Sequence, residues 1–463
     1  MSAIPSAMST DLCPTRRSIS GGAWRKRASA CLSIFGLASI SYVLGAGAMF
    51  YQLPSSHSLA NAFVGARAWQ QSKYVDRGLV SHATPTADVD RPEKTFDGFT
   101  FYTYLNTSDA RWGTQAFLVN MRREPVHRWE ICLKDIWPKP PHLDTSVRYP
   151  SSNFFGSYLY PNGDLLVTFH GDGQTAGCGL AKIDANSKLL WAYPATIHHD
   201  VDVAEDGTIY AVRQDFLYES PPGMRMWNPA LVDYVLTLSP EGQPLREPIS
   251  IIDAFRNSPY AALLAPLEKP LSEYAPPRGS TAQQVSYVAG MDALHTNCVR
   301  VLRRDLAAKF PKFKPGQVLI SVRNLNVIAV LDPDERRIVW ATRGPWLGQH
   351  DPQFLDNGRL LIFDNLGAPR GSRLLEFDPE TQAIPWSYSA SDHGGFYTSE
   401  RGMGQRLPNG NTFIVNSEGG KMIEVAPDQE IVWTCSLDGY ISAGRRYASA
   451  ELTFLQEGQR ARP

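Results

Sequence analysis

The sequence predicts an all-β chain folded as a six-bladed β-propeller and preceded by an N-terminal transmembrane helix. Three observations carry this: a strand pattern that recurs, a turn glycine that recurs with it at blade-sized steps, and one uncharged apolar run near the N-terminus. In each repeat an Asn-Gly, Asp-Gly or Pro-Gly turn leads into an apolar strand. A second strand then ends in an Asp-bearing turn, and a third carries Trp. Examples are YPNGDLLVTF with GLAKIDANSKLLWAY, and LDNGRLLIFDN with RLLEFDPETQAIPWSY.

The marker glycines Gly98, Gly163, Gly207, Gly316, Gly358 and Gly410 are spaced by 65, 44, 109, 42 and 52 residues. Four-stranded blades take roughly 40 to 50 residues, so the long interval reads as one blade with an insertion, from about Gln214 to Met291. Within the insertion a short helix is expected after Ser258 and Pro259, and Tyr218, Trp227 and Tyr274 are read first as packing residues, with an aromatic surface for a substrate as the alternative. Short sheets with apolar faces need neighbours on both sides, and a closed ring of blades supplies them. Trp191, Trp340, Trp386 and Trp433 are expected to pack blade against blade.

No charged side chain occurs from Ala28 to Ala66, and Ala30–Leu53 is long enough to span a bilayer, for which about 20 apolar residues suffice. Arg16, Arg17, Arg25, Lys26 and Arg27 precede it, which keeps the N-terminus inside and exports the remainder. A cleaved signal peptide ending near Ala46 and Ala48 is the rival reading and exports the same body. The expected organisation is a basic cytoplasmic tail (1–27), a transmembrane anchor or signal segment (28–53), a linker (54–95) and the propeller (96–463). In a bacterium this places a single-pass protein in the inner membrane with its body in the periplasm.

A chain of 463 residues with 43% hydrophobic and 20% charged residues can bury a large core. Its formal net charge of -1 argues against a nucleic-acid partner. Cys132, Cys178, Cys298 and Cys435 are widely spaced, with no metal-binding CxxC; disulfides and buried thiols both fit them.

Ten histidines occur, and two share a phase: His199 lies eight residues before Gly207, and His350 eight before Gly358, both within His-Asp. Equivalent positions in different blades lie on a ring about the axis, so these two are expected to converge. In the last blade that phase holds Gly402, which leaves room beside the ring. His295, followed by Asn297, and Arg323 within SVRNLNVIAVLD complete the candidate site. His198 competes with His199, and the repeat phase favours His199. Asp200 and Asp351 either orient the imidazoles or form turns. Three imidazoles also suit a metal, but a guanidinium beside them repels a divalent cation and attracts an oxyanion such as sulfate or phosphate.

At these residues the chain resembles the PAPS-independent arylsulfotransferase (arylsulfate sulfotransferase) family, whose catalytic domains are six-bladed propellers. The resemblance runs from about Tyr158 to Cys435 and rests on HHDVDVAEDGTIYAV, DALHTNCVRVL, SVRNLNVIAVLD and GQHDPQFLDNGRLLIFDN. It implies sulfuryl transfer from an aryl sulfate ester to a phenol by a ping-pong mechanism. In that scheme His350 is the nucleophile, His199, His295, Arg323 and Asn297 hold the sulfuryl group, either His199 or His295 shuttles the phenol proton, and no cofactor or metal takes part. The closely spaced cysteine pair found near the nucleophile in some members is absent. A non-catalytic periplasmic propeller acting as a scaffold is the alternative, and a quinone-dependent dehydrogenase a more distant one.

Overall fold

Six four-stranded antiparallel sheets make up the computed structural model, which describes residues 89–105, 114–143, 152–171, 177–226, 230–267, 292–368, 371–389 and 396–455. The expected membrane segment lies outside the described residues, as do Trp227 and Tyr274. Among the described residues no helix is long and apolar enough to cross a membrane.

The innermost strands of blades two to six are Ser152–Leu159, Ile197–Val203, Thr296–Val301, His350–Phe354 and Met403–Arg406. Blade one takes its innermost strand from the other end of the chain. Tyr440–Tyr447 pairs antiparallel with Phe99–Leu105, starting at Phe99 against Tyr447, and so locks the ring.

Five of the marker glycines join an innermost strand to the second strand of its blade. They adopt φ of 86° (Gly163), 85° (Gly207), 85° (Gly316), 80° (Gly358) and 87° (Gly410), a left-handed conformation that costs other residues roughly 1 kcal/mol. In blade two the Gly163 amide donates to Tyr160 O at 3.0 Å and Asn162 Oδ1 accepts from the Asp164 amide at 3.1 Å, which sets the hairpin register.

The outer-strand tryptophans tie each blade to the next. Trp129, Trp191 and Trp433 donate their indole N–H to Gly163 O, Pro240 O and Met121 O at 2.9, 3.0 and 3.1 Å, all in the following blade. Trp386 stacks under the Arg406 guanidinium of blade six, 4.5 Å from the ring centroid. Trp340 of blade four packs toward Phe377 of blade five. Among the described residues no disulfide joins Cys132, Cys178, Cys298 and Cys435.

Two sequence expectations are corrected. The insertion does not begin at Gln214: Ile209–Leu217 and Ala230–Leu238 are paired strands of blade three, and its outer strand shrinks to Ile249–Ser250. The excursion starts there, with helix Ile251–Arg256 capped by the Ser250 side chain and a 3₁₀ turn at Ala261–Leu267. Arg323 does not interrupt a strand. Val318–Val322 and Val327–Asp332 are separate strands, and Arg323 opens the 3₁₀ turn between them; Asn326, at φ 53°, supplies the left-handed residue without a glycine.

Candidate active site

A bulge near the start of the innermost strands builds the site. In blade three the register jumps between His198 and Val201, in blade four between Thr296 and Cys298, in blade five between His350 and Gln353, and in blade two between Phe154 and Ser157. Such bulges turn a side chain out of the ladder, here toward the axis. The pairs Tyr447–Phe99, Leu159–Leu165, Val203–Ile209, Val301–Val318, Phe354–Leu360 and Arg406–Thr412 align the six blades. Four residues upstream of the first member, one ring position reads Ala443, Phe155, His199, Asn297, His350 and Gly402. Asn297 is therefore the blade-four counterpart of the two phased histidines, and His295 sits two residues ahead of it.

His350 is 3% exposed and fully hydrogen-bonded. Its Nδ1 lies 2.7 Å from Asn365 Oδ1 and 3.0 Å from Gly348 O. The Asn365 amide is oriented by its Nδ2, which donates to Thr398 O and Arg401 O at 2.9 and 2.6 Å. Both partners of Nδ1 are thus acceptors, so Nδ1 carries the proton and Nε2 the lone pair. The Arg401 backbone N–H donates to that Nε2 at 3.2 Å. Burial holds the imidazole well below its usual pKa; Asn365 opposes the shift, and Arg323, His295 and Arg401 reinforce it. His350 is a neutral base at physiological pH.

His199 and His295 meet with ring centroids 4.7 Å apart, and their surroundings shift their pKa values in opposite directions. Burial, followed by the neighbouring His295 and His198, drives the His199 pKa well down. Burial opposes the proton on His295 as well, but Asp292 Oδ2 at 2.5 Å from its Nδ1 outweighs burial and raises its pKa. Behind His199 stands His198, with the two Nδ1 atoms 2.5 Å apart and His198 Nε2 3.2 Å from Asp233 Oδ1. His199 and His295 both have positive φ, 56° and 50°, strain of the kind that collects at binding and catalytic sites.

Asn297 donates from Nδ2 to Gln349 O at 2.9 Å, and its buried Oδ1 has no partner. Arg323 lies beside Gly348, where an added Cβ would be 3.7 Å from Nη2, and its backbone N–H donates to His295 O at 3.3 Å. The five residues singled out from sequence therefore converge.

Asp200 and Asp351 do neither of the things expected of them. Each pairs with Arg300: Nη1 with Asp200 Oδ2, and Nη2 with Asp351 Oδ1 at 2.8 Å. Asp200 also accepts the Val299 amide, and Asp351 the Gly404 amide. This ionic triad staples blades three, four and five together, and the His350 and His295 imidazoles take their orientation from Asn365 and Asp292 instead.

Sequence reasoning missed Phe155, His170, Asn365 and Arg401. Phe155 stacks on His170, with centroids 4.2 Å apart and planes 20° apart, and meets His199 edge-on at 5.2 Å. Burial, with Arg401, lowers the His170 pKa to about 3. The Arg401 guanidinium covers the other face of Phe155 at 3.3 Å. Phe155 lies eight residues before Gly163, so the repeat phase already contained it.

Among the described residues no group of His, Cys, Asp and Glu is placed to hold a metal ion. The imidazole of His295, whose proton Asp292 favours, and the guanidinium groups of Arg323 and Arg401 all act on the buried His350, so the fold and site define a propeller with a cationic cluster around a neutral imidazole. The family model described as Arylsulfotransferase (ASST) matches residues 157–438, and the chain belongs to that family. Aryl sulfates and phenols are the substrates consistent with membership. No curated protein matches the chain. Among solved structures it is similar to a protein of unknown function from Bacteroides caccae, at 13% identity and TM-score 0.46, over 75% of this chain and 98% of that one. It is also similar to a catalytically inactive virginiamycin B lyase from Staphylococcus aureus, at 11% identity and TM-score 0.33, over 62% and 71%. The WD40 propeller domain of Doa1 gives 9% identity and TM-score 0.38, over 75% and 89%. At these levels the likenesses carry no argument about function.

Proposed function

We propose that this chain is a PAPS-independent arylsulfotransferase that works in ping-pong fashion through a sulfohistidine at His350. The observation that carries the proposal is the unprotonated Nε2 of a neutral, buried His350 set among cationic groups, in a chain of the arylsulfotransferase family.

In the first half-reaction Nε2 gives up its hydrogen bond from the Arg401 N–H and attacks sulfur, the S–O bond to the aryl group breaks as the N–S bond forms, and the phenolate leaves. The transition state is loose, so its stabilisation comes mainly from alignment and from neutralising the equatorial oxygens. Arg323 supplies a planar two-pronged donor to those oxygens, and Asn297 a further amide hydrogen. Protonated His295 gives its proton to the departing phenolate. In the second half-reaction the acceptor hydroxyl attacks sulfur, the N–S bond breaks, and neutral His295 takes the hydroxyl proton, which closes the proton ledger. His199, held neutral, contacts the transferring group from blade three, two blades away from His350. Asn365 is a positioning residue that keeps the proton on the far nitrogen of His350.

We place the propeller outside the cytoplasm, on the basic residues before the apolar run 28–53. Incubation with 4-nitrophenyl sulfate, with and without phenol, tests the activity. Nitrophenolate release that phenol accelerates, with phenyl sulfate as product, is expected; release that phenol leaves unchanged identifies a sulfatase, and no release a scaffold.

A further inference from the structure

We infer that Arg401 is a second ligand of the sulfuryl group, facing Arg323 across His350, so that two guanidinium ions grip the anion. The inference rests on the arylsulfotransferase reading and adds a residue to its substrate site.

Arg401 borders the reacting atom, since its own backbone N–H donates to His350 Nε2 at 3.2 Å. Its side chain is withdrawn from bulk water, with 6% of the residue exposed, yet Nε and Nη2 have no hydrogen-bond partner. Other arginines in the interior are neutralised. Arg446, 1% exposed, has Glu424 at 3.0 Å, and Arg300 sits between Asp200 and Asp351. Among the described residues no carboxylate forms a salt bridge with Arg401. Its contact is the face of Phe155, which attracts a cation but accepts no conventional N–H hydrogen bond. A buried charge without a salt-bridge partner is strongly unfavourable, and Tyr440, Asp200 and Asp351 act on this one from nearby without an ion pair, while its backbone carries a strained φ of 58°. The ring position of neighbouring blade one is a small residue, Ala443. The side chain thus reaches from blade six to Phe155 of blade two. What is missing at the guanidinium is a set of anionic oxygens, and a sulfuryl group on Nε2 brings three. Burial lowers the Arg401 pKa to about 10, which still leaves it charged at neutral pH.

The test uses full-length protein in detergent and compares wild type with Arg401→Met and Arg401→Lys. KM and kcat for 4-nitrophenyl sulfate, calorimetric binding of inorganic sulfate, and melting temperature are read for each. Arg401→Met is expected to weaken sulfate binding and raise KM by about tenfold or more, with part of the loss restored by millimolar guanidinium chloride. Arg401→Lys should fall between the two. If wild type turns over substrate while Arg401→Met keeps its KM and sulfate affinity within about twofold, the residue only packs on Phe155 and the inference is overturned with the functional reading intact. A wild type that turns over no aryl sulfate overturns both. Should Arg401→Met fail to fold, Arg401→Lys decides: a raised KM supports a sulfuryl ligand and an unchanged one refutes it.

Discussion

Replacing Asn365 by aspartate changes one atom and isolates the control of His350. The amide now accepts the imidazole Nδ1–H at 2.7 Å and donates to two carbonyls, Thr398 O and Arg401 O. A carboxylate keeps the first bond but sets an oxygen against both carbonyls, at about 1–3 kcal/mol of stability for each unsatisfied group. It also stabilises the imidazolium. Unit charges about 4 Å apart at an effective dielectric constant near 20 interact by about 4 kcal/mol, roughly a thousandfold in the protonation equilibrium. Burial now holds the His350 pKa well below 6.5, so wild-type kcat/KM should show no acid limb from this group near neutrality. In Asn365→Asp the pKa rises, His350 is protonated and inert at low pH, and activity returns as pH increases. The measurement is kcat/KM for 4-nitrophenyl sulfate from pH 5 to 9, with thermal unfolding alongside. A folded variant whose acid side superimposes on wild type would refute the assignment of the nucleophilic nitrogen.

His350→Ala should abolish turnover while keeping a cooperative but lowered melting transition, since the buried partners of the imidazole lose it, and label from an aryl sulfate should map to the His350 peptide of the wild type under alkaline conditions; label elsewhere removes the sulfohistidine. Asp292→Asn should let His295 lose its proton at lower pH, so the alkaline limb of kcat moves down and activity at pH 8 falls by about tenfold. Because the His295 pKa is raised on folding, the stability contributed by its ion pair is full below about pH 6.5 and lost as pH rises through the folded value, and pH-dependent melting of this variant should show that loss already complete. A reporter fused after Tyr51 should be active only in its exported form, and cytoplasmic activity of a fusion near residue 96 would reverse the proposed topology.

The blades were legible because their signals are local. An Asn-Gly or Asp-Gly turn and an alternating apolar strand fall within ten residues, and the phase of His199 and His350 follows by counting back from the glycine. Counting failed in blade four, where helix Arg304–Ala307 lies between Val301 and Val318 and hides the equivalence of Asn297. Arg323 was misplaced for a related reason, since Asn326 makes its turn without the expected glycine. Arg401 was out of reach because it precedes the phased Gly402 by one residue and takes its meaning from Phe155, on a blade that is not its neighbour. The roles of Asp200 and Asp351 were equally hidden, being decided by Arg300 on a third blade.

The strand that locks the ring also sets when the enzyme comes into being. Synthesis runs from the N-terminus, so blade one waits without its innermost strand until Tyr440–Tyr447 has emerged. Joining Phe99 to Tyr447 closes nearly the whole domain as one loop, at an entropic cost of about 5 kcal/mol for that length. Until then Tyr440, whose phenol lies close enough to act on the Arg401 charge, is not in position beside the site. A nascent or C-terminally clipped chain should therefore carry every reactive group and yet be inert, which confines the chemistry to chains whose last blade strand has been made and docked.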